Sequence, residues 1–181
     1  MREEYEKLVD RTTGAMIGYY TGDAKRTGHF LKVHALARYI GRQEKLPEET
    51  QLILELAALT HDIGIKAALE KYGSSDGKYQ EFEGPGLAGE MFSEMGGLRD
   101  DQIDRICWLI SRHHTYVDID DNLDYRILVE ADALVNADEE EWSPKMTASF
   151  MERVFDTETG KMLMETVYRQ DSDLEDSQLP E

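Results

Sequence analysis

Gln51-Leu52-Ile53-Leu54-Glu55-Leu56-Ala57-Ala58-Leu59-Thr60-His61-Asp62-Ile63-Gly64 is the stretch whose reading decides the fold. Apolar side chains occupy nearly every position from Gln51 to Thr60, with neither glycine nor proline among them. A helix that is apolar on several sides must be surrounded by other elements. The segment therefore predicts a central buried helix, opened by Pro47 and closed by His61-Asp62-Ile63-Gly64. The closing pair is chemically out of place in such surroundings. An ionised carboxylate buried without a partner costs several kcal/mol, so Asp62 needs compensation. A cap or salt bridge is one answer, and a metal ion held by His61 and Asp62 together is the other.

Working outward, apolar residues recur at three- and four-residue spacing over about 2–20 and 23–42, the second stretch ending near Gly41. Further helices are predicted at about 85–95, 99–114, 123–137, 144–155 and 157–169. The run Tyr72-Gly73-Ser74-Ser75-Asp76-Gly77-Lys78 carries turn residues without a period and reads as a surface loop. No stretch reads as a strand. The expected architecture is all-α, a single-domain helical bundle over residues 1–170, followed by an acidic tail at 171–181 that lacks apolar anchors.

The chain has 181 residues, 40% of them apolar and 32% charged, an ordinary balance for a globular domain. No apolar run approaches the roughly 20 residues of a membrane helix, so no membrane partner is expected. The acidic, amphipathic start Met1-Arg2-Glu3-Glu4-Tyr5-Glu6 lacks the cationic-then-apolar layout of a secretory signal, which points to a cytoplasmic protein. Cys107 is the single cysteine, makes no internal disulfide, and reads as a small buried hydrophobe. A formal net charge of −18 repels a phosphate backbone at long range and argues against a large nucleic acid as partner. Small phosphorylated substrates remain compatible, because a bound divalent cation supplies a local positive field. Apolar positions near the N-terminus would support a homodimer.

Imidazole and carboxylate side chains together hold metals of intermediate hardness, so inward-facing His and Asp residues are the natural candidates. His29 lies on the stripe of Val33, Leu36, Ala37 and Ile40, whereas His34 stands at the helix edge near Arg38. Taken by itself, His29 also fits a core histidine satisfied by a backbone carbonyl. Asp132, in Leu128-Val129-Glu130-Ala131-Asp132-Ala133-Leu134-Val135, sits on the inward side of its helix and must be a ligand or the partner of an arginine. His114 falls in phase with Ile103, Cys107 and Ile110, and His113 falls toward the edge, so His114 is the better inward candidate. Glu83 precedes the expected helix at Gly86-Leu87-Ala88 and serves as an electrostatic cap or as a ligand.

The order His29, then His61-Asp62, then Asp132 resembles the HD superfamily of metal-dependent phosphohydrolases. Ala57-Ala58-Leu59-Thr60-His61-Asp62-Ile63-Gly64 is similar to its central motif, Ala131-Asp132-Ala133-Leu134 to its last, and the likeness covers about residues 23–138. The resemblance implies a helical bundle with a divalent metal (Mn, Fe, Co or Mg) on His29, His61, Asp62 and Asp132, and a small phosphorylated substrate, a nucleotide or related phosphoester. It implies further that Asp62, His113 and His114 act at the reacting phosphate, and that Arg26 contacts phosphate from three residues before His29. Where many members carry a lysine directly after the glycine, this chain has Ile65, with Lys66 one place later as the candidate phosphate contact beside Arg26, although helical phase would turn it away. Members with a second metal place a histidine where Glu83 aligns, so a second ion on Glu83, His113 and His114 is compatible with the pattern but not implied. No extended Gly-Tyr-Pro signature of the cyclic-dinucleotide branch follows His114. A second reading keeps the metal without turnover, as a nucleotide sensor or adaptor; a third replaces hydrolysis by an oxygenase reaction.

Overall fold

The computed structural model describes residues 2–116 and 122–168. Within them the chain forms nine helices and no strand: α1 (Arg2–Tyr19), α2 (Ala24–Gln43), α3 (Glu48–Thr60), α4 (Gly64–Tyr72), α5 (Gly77–Met95), α6 (Asp100–Ile110), α7 (Leu123–Glu139), α8 (Pro144–Val154) and α9 (Glu158–Tyr168). The all-α expectation is met. None of these helices is long and apolar enough to cross a membrane. The acidic tail read at 171–181 lies outside the described residues.

Two helices carry the centre. Every residue of α3 from Gln51 to Thr60 is buried, and so is every residue of α7 from Asp124 to Val135. Side chains of α1, α2, α5, α6, α8 and α9 close around them in one continuous apolar cluster. Glu55, a buried carboxylate of α3, is paired within this interior: it meets His34 Nε2 at 3.1 Å and Gln51 Nε2 at 2.9 Å. This contact gives the helix-edge histidine a structural partner.

The turn between α3 and α4 is fastened from the end of α1 and the residue after it. Tyr20 donates its hydroxyl to the Asp62 carbonyl at 2.7 Å, and Tyr19 donates to the Ile63 carbonyl at 3.2 Å. Gly64 then starts α4 in contact with α5, where a methyl group on it would lie 2.5 Å from the Gln80 carbonyl and 2.8 Å from the Gly84 nitrogen. The glycine of His-Asp-Ile-Gly is thus required by backbone approach between two helices. Gly64→Ala is expected to cost about 1–3 kcal/mol by overpacking, read as a lower melting temperature. Wild-type stability in that variant would show that α4 and α5 can separate freely.

Three boundaries differ from the sequence reading. Helix α4 was not foreseen, because the His-Asp-Ile-Gly stop masks a short run in which Ile65 and Ala68 face inward; it ends at Gly73, which adopts φ +66. Helix α5 begins at Gly77, eight residues earlier than expected, and carries Pro85 inside it. Its glycines weaken local propensity but permit close packing, with Gly84 against Gly64 and Ile110 and Gly89 against Cys107. Cys107 itself is only partly buried, with Sγ 3.2 Å from the Pro85 carbonyl. Helix α6 stops at Ile110 rather than 114, since the following groups are captured locally: Ser111 Oγ bonds the Trp108 carbonyl and His113 Nδ1 the Ile110 carbonyl.

Candidate metal centre

Two helices and two inter-helix turns deliver the polar residues to one place. His29 comes from the second turn of α2, whose first turn is capped by the Asp23 side chain accepting from the Arg26 N–H. His61 and Asp62 come from the α3–α4 turn, Asp132 from the middle of α7, and His113 and His114 from the turns after α6. Those last turns are held from both sides. Tyr125 donates to the Arg112 carbonyl at 2.5 Å, and the Glu81 carboxylate accepts from the His114 N–H at 2.8 Å.

The donor atoms converge. His29 Nε2 lies 3.2 Å from His61 Nε2, 3.2 Å from Asp132 Oδ1 and 3.5 Å from Asp62 Oδ2. His61 Nε2 is 3.5 Å from Asp132 Oδ1 and 3.6 Å from Asp62 Oδ1, and His113 Nε2 is also 3.6 Å from Asp62 Oδ1. His29, His61 and Asp132 form one group able to hold a metal; Asp62, His113 and His114 form a second. Asp62 is adjacent to both groups.

The histidine tautomers follow from the partners of the other ring nitrogen. Nδ1–H of His61 donates to the Ala58 carbonyl at 2.8 Å, that of His113 to the Ile110 carbonyl at 2.7 Å, and that of His29 to Glu139 Oε2 at 3.0 Å. All three Nε2 lone pairs then face the carboxylates of Asp62 and Asp132, and His61 and His113 are fully buried. Only protons or a cation can occupy that space favourably. Among the described residues, Asp132 Oδ1 and His113 Nε2 are buried and make no hydrogen bond, although Asn136 serves the other Asp132 oxygen at 3.0 Å. Neutral imidazole nitrogens and carboxylate oxygens spaced in this way fit a divalent metal.

Protonation is biased accordingly. Burial opposes charge on His29, but the close Asp132 carboxylate, 3.2 Å from Nε2, and the charges of Asp62 and Asp132 outweigh it and push the imidazole up to about 9. His61 moves the same way, because Asp62 and Asp132 overcome its burial. Burial would raise both carboxyl groups, yet the histidines hold Asp62 and Asp132 below the usual carboxylate range. His114 moves oppositely: burial, with His113 beside it, lowers it to about 4, so it is a neutral acceptor near pH 7 rather than a proton donor.

A pH dependence follows. In the metal-free protein the ion pairing of His29 stabilises the fold fully below its ordinary value of 6.5 and is lost as pH rises through about 9. A metal must displace that proton. Apparent metal affinity is therefore expected to rise by about tenfold per pH unit for each proton displaced, levelling off near pH 9. Calorimetry of Mn²⁺ binding in buffers of different protonation enthalpy measures both the slope and the proton release; a flat profile would exclude His29 from the ligand set.

A cavity of about 360 Å³ opens onto the cluster. Asp23, Asp62, Asp132, Glu139 and Glu140 line it, against the two cations Lys25 and Arg26. Arg26 is at the cavity, with Nε 3.1 Å from Asp23 Oδ2. Lys66 is exposed and lies over the Tyr19 ring, 5.4 Å from its centroid, and does not line this cavity.

Two placements differ from the sequence reading. His113 is the fully buried histidine of its pair and His114 the partly exposed one, because α6 ends before them and helical phase no longer applies. Glu83 stands in the middle of α5 instead of ahead of a helix; Lys71 and the Tyr72 hydroxyl engage its carboxylate, outside both histidine–aspartate groups. Asp132 meets His29 and His61, and no arginine ion pair to it occurs among the described residues. Sequence reading passed over Asn136 and Glu139, although they stand four and seven residues after Asp132 on the same helical face. It also passed over Gln80 and Glu81, which gave no signal because no helix was read there.

No curated protein and no solved structure matches the chain. The family model described as the HD domain matches residues 26–137, a span that begins at Arg26 and takes in all the histidine and aspartate residues of the cluster. With the helical bundle, the His61-Asp62 turn and the partnering Asp132 in place, the chain belongs to the HD domain family.

Proposed function

We propose that this protein is a metal-dependent phosphohydrolase acting on a small phosphorylated substrate, a nucleotide or related phosphoester. The observation that carries the reading is the convergence of three imidazole lone pairs and two carboxylates at the floor of an open cavity. A core histidine cluster kept only for packing would be sealed by its own hydrogen bonds. Here Asp132 Oδ1 and His113 Nε2 are left unserved among the described residues, and Asp132, with His29, Asp62 and His114, lines the cavity.

His29, His61, Asp62 and Asp132 would hold the first ion, with His113 and His114 available with Asp62 for a second. Mn, Fe, Co and Mg all accept mixed imidazole and carboxylate donors. Such an ion, when bound, supplies a Lewis acid for a phosphoryl oxygen and lowers the pKa of water. The chain itself does the rest. Arg26, at the cavity wall, neutralises charge on the phosphate oxygens once a substrate competes with Asp23 for its guanidinium. His113 and His114 border the phosphate from the α6 side; His114 is neutral near pH 7 and accepts a hydrogen bond or ligates. The exposed Lys66 over Tyr19 gives no support to a phosphate contact.

The test is product formation from nucleoside mono-, di- and triphosphates, dinucleoside polyphosphates and simple phosphomonoesters with Mn added. Metal-dependent turnover supports the reading and names the substrate class. Binding of nucleotide that raises the melting temperature without consumption would replace it by the sensor reading.

A further inference from the structure

Three histidines point Nε2 into the cluster, but they are anchored differently. His61 and His113 donate Nδ1–H to backbone carbonyls three residues earlier, Ala58 and Ile110. Those anchors are built into the local turn and need no other side chain. His29 donates instead to a carboxylate 110 residues away, Glu139 on the last turn of α7, with Nδ1 3.0 Å from Oε2. Glu139 is in turn held by Lys32, whose Nζ lies 2.5 Å from Oε1. His29 and Lys32 are one turn apart on α2, while Asp132, Asn136 and Glu139 run along one face of α7. The two helices thus meet through Asp132 on the metal side of the His29 ring and Glu139 on the far side.

We infer that Glu139 is a positioning residue for the metal centre: it fixes the His29 tautomer and ring plane, and raises the donor strength of Nε2, with Lys32 orienting the carboxylate. The inference rests on the reading of the cluster as a metal site. Its chemistry is general, since a ligating imidazole becomes a better donor when its other nitrogen gives its proton to a carboxylate. The residue lies beyond the stretch that matches the family, which ends at 137. The contrast among the histidines gives direction to the expectation: His29 is the ligand whose strength a side chain controls, and His61 and His113 are not.

The experiment is Mn²⁺ and Co²⁺ binding by calorimetry, with the visible absorption of the Co²⁺ form, on full-length wild type, Glu139→Ala, Glu139→Gln and Lys32→Met. Glu139→Ala is expected to bind about 10–100-fold more weakly and to shift the Co²⁺ spectrum. Glu139→Gln, which keeps an acceptor oxygen without the charge, should fall between Ala and wild type, and Lys32→Met should lose less than Ala. Melting temperatures of the metal-free proteins separate positioning from folding. Wild-type affinity and spectrum in Glu139→Ala overturn the inference and leave the metal site standing. Losses that merely follow a lowered metal-free melting temperature, equal in Ala and Gln, also overturn it, in favour of a structural ion pair. A wild type that binds neither ion removes the metal reading itself.

Discussion

Asp62→Ala is expected to reduce metal-dependent turnover at least about a thousandfold, roughly 4 kcal/mol of transition-state stabilisation, whereas Arg26→Ala should lose only part of the activity. The asymmetry comes from position. One Asp62 oxygen lies 3.5 Å from His29 Nε2, and the other lies 3.6 Å from both His61 and His113. Its carboxylate therefore borders both candidate metal groups, and removing it withdraws negative charge from each. Arg26 acts at the cavity wall, already shared with Asp23, and Lys25 stands beside it as a second cation. The measurement is kcat/KM on the best substrate of the panel, together with the rise in melting temperature on adding Mn²⁺, which a ligand-deficient variant should lose. Turnover equal to wild type in Asp62→Ala would refute the assignment of this cluster as the catalytic centre.

The largest effect on stability is expected at Glu130, which has no part in the metal site. It is fully buried on α7. Its Oε1 accepts from the Asp156 N–H at 2.7 Å and the Thr157 N–H at 3.0 Å, and Oε2 accepts the Thr157 hydroxyl. These are groups at the start of α9, where Glu44 also accepts from the Thr159 N–H at 3.0 Å and Thr157 Oγ1 from the Gly160 N–H at 2.9 Å. Glu130 thus caps a distant helix from inside the core. Its removal leaves the buried Thr157 N–H and hydroxyl, and the part-buried Asp156 N–H, without their acceptor, and each buried group so orphaned costs about 1–3 kcal/mol. Glu130→Ala should accordingly lose about 3 kcal/mol and melt roughly 6–12 °C lower. Glu130→Gln keeps an acceptor and should lose less. Thermal unfolding followed by circular dichroism reads both; an Ala variant that melts with the wild type would mean that α9 is held by its apolar face alone.

Glu130 also marks where sequence reading reaches its limit. It sits two residues before Asp132, on the other side of a helix buried all round from Asp124 to Val135, and the two carboxylates are buried for unrelated reasons. One faces the histidines and the other faces the start of α9. Helical phase distinguishes inward from outward, but not which neighbour lies inward. The same limit applies to Glu139: its phase relative to Asp132 was present in the sequence, and its partner 110 residues earlier was not.

What the amino-acid order determined by itself was the all-helical class, the buried central helix ending in His61-Asp62, and the inward placement of His29 and Asp132. These depend on apolar periodicity within single helices, a local property that survives without knowledge of packing. Tertiary structure alone decided the rest. It ended α6 at Ile110, so that His113 rather than His114 was buried; it started α5 at Gly77 and carried Glu83 to Lys71 and Tyr72; and it brought Glu139 behind His29. The physical reason is common to all three. Helix ends and side-chain partners are settled by competition for carbonyls, close glycine contacts and ion pairs between segments far apart in the chain, and those competitors acquire their positions only when the helices pack.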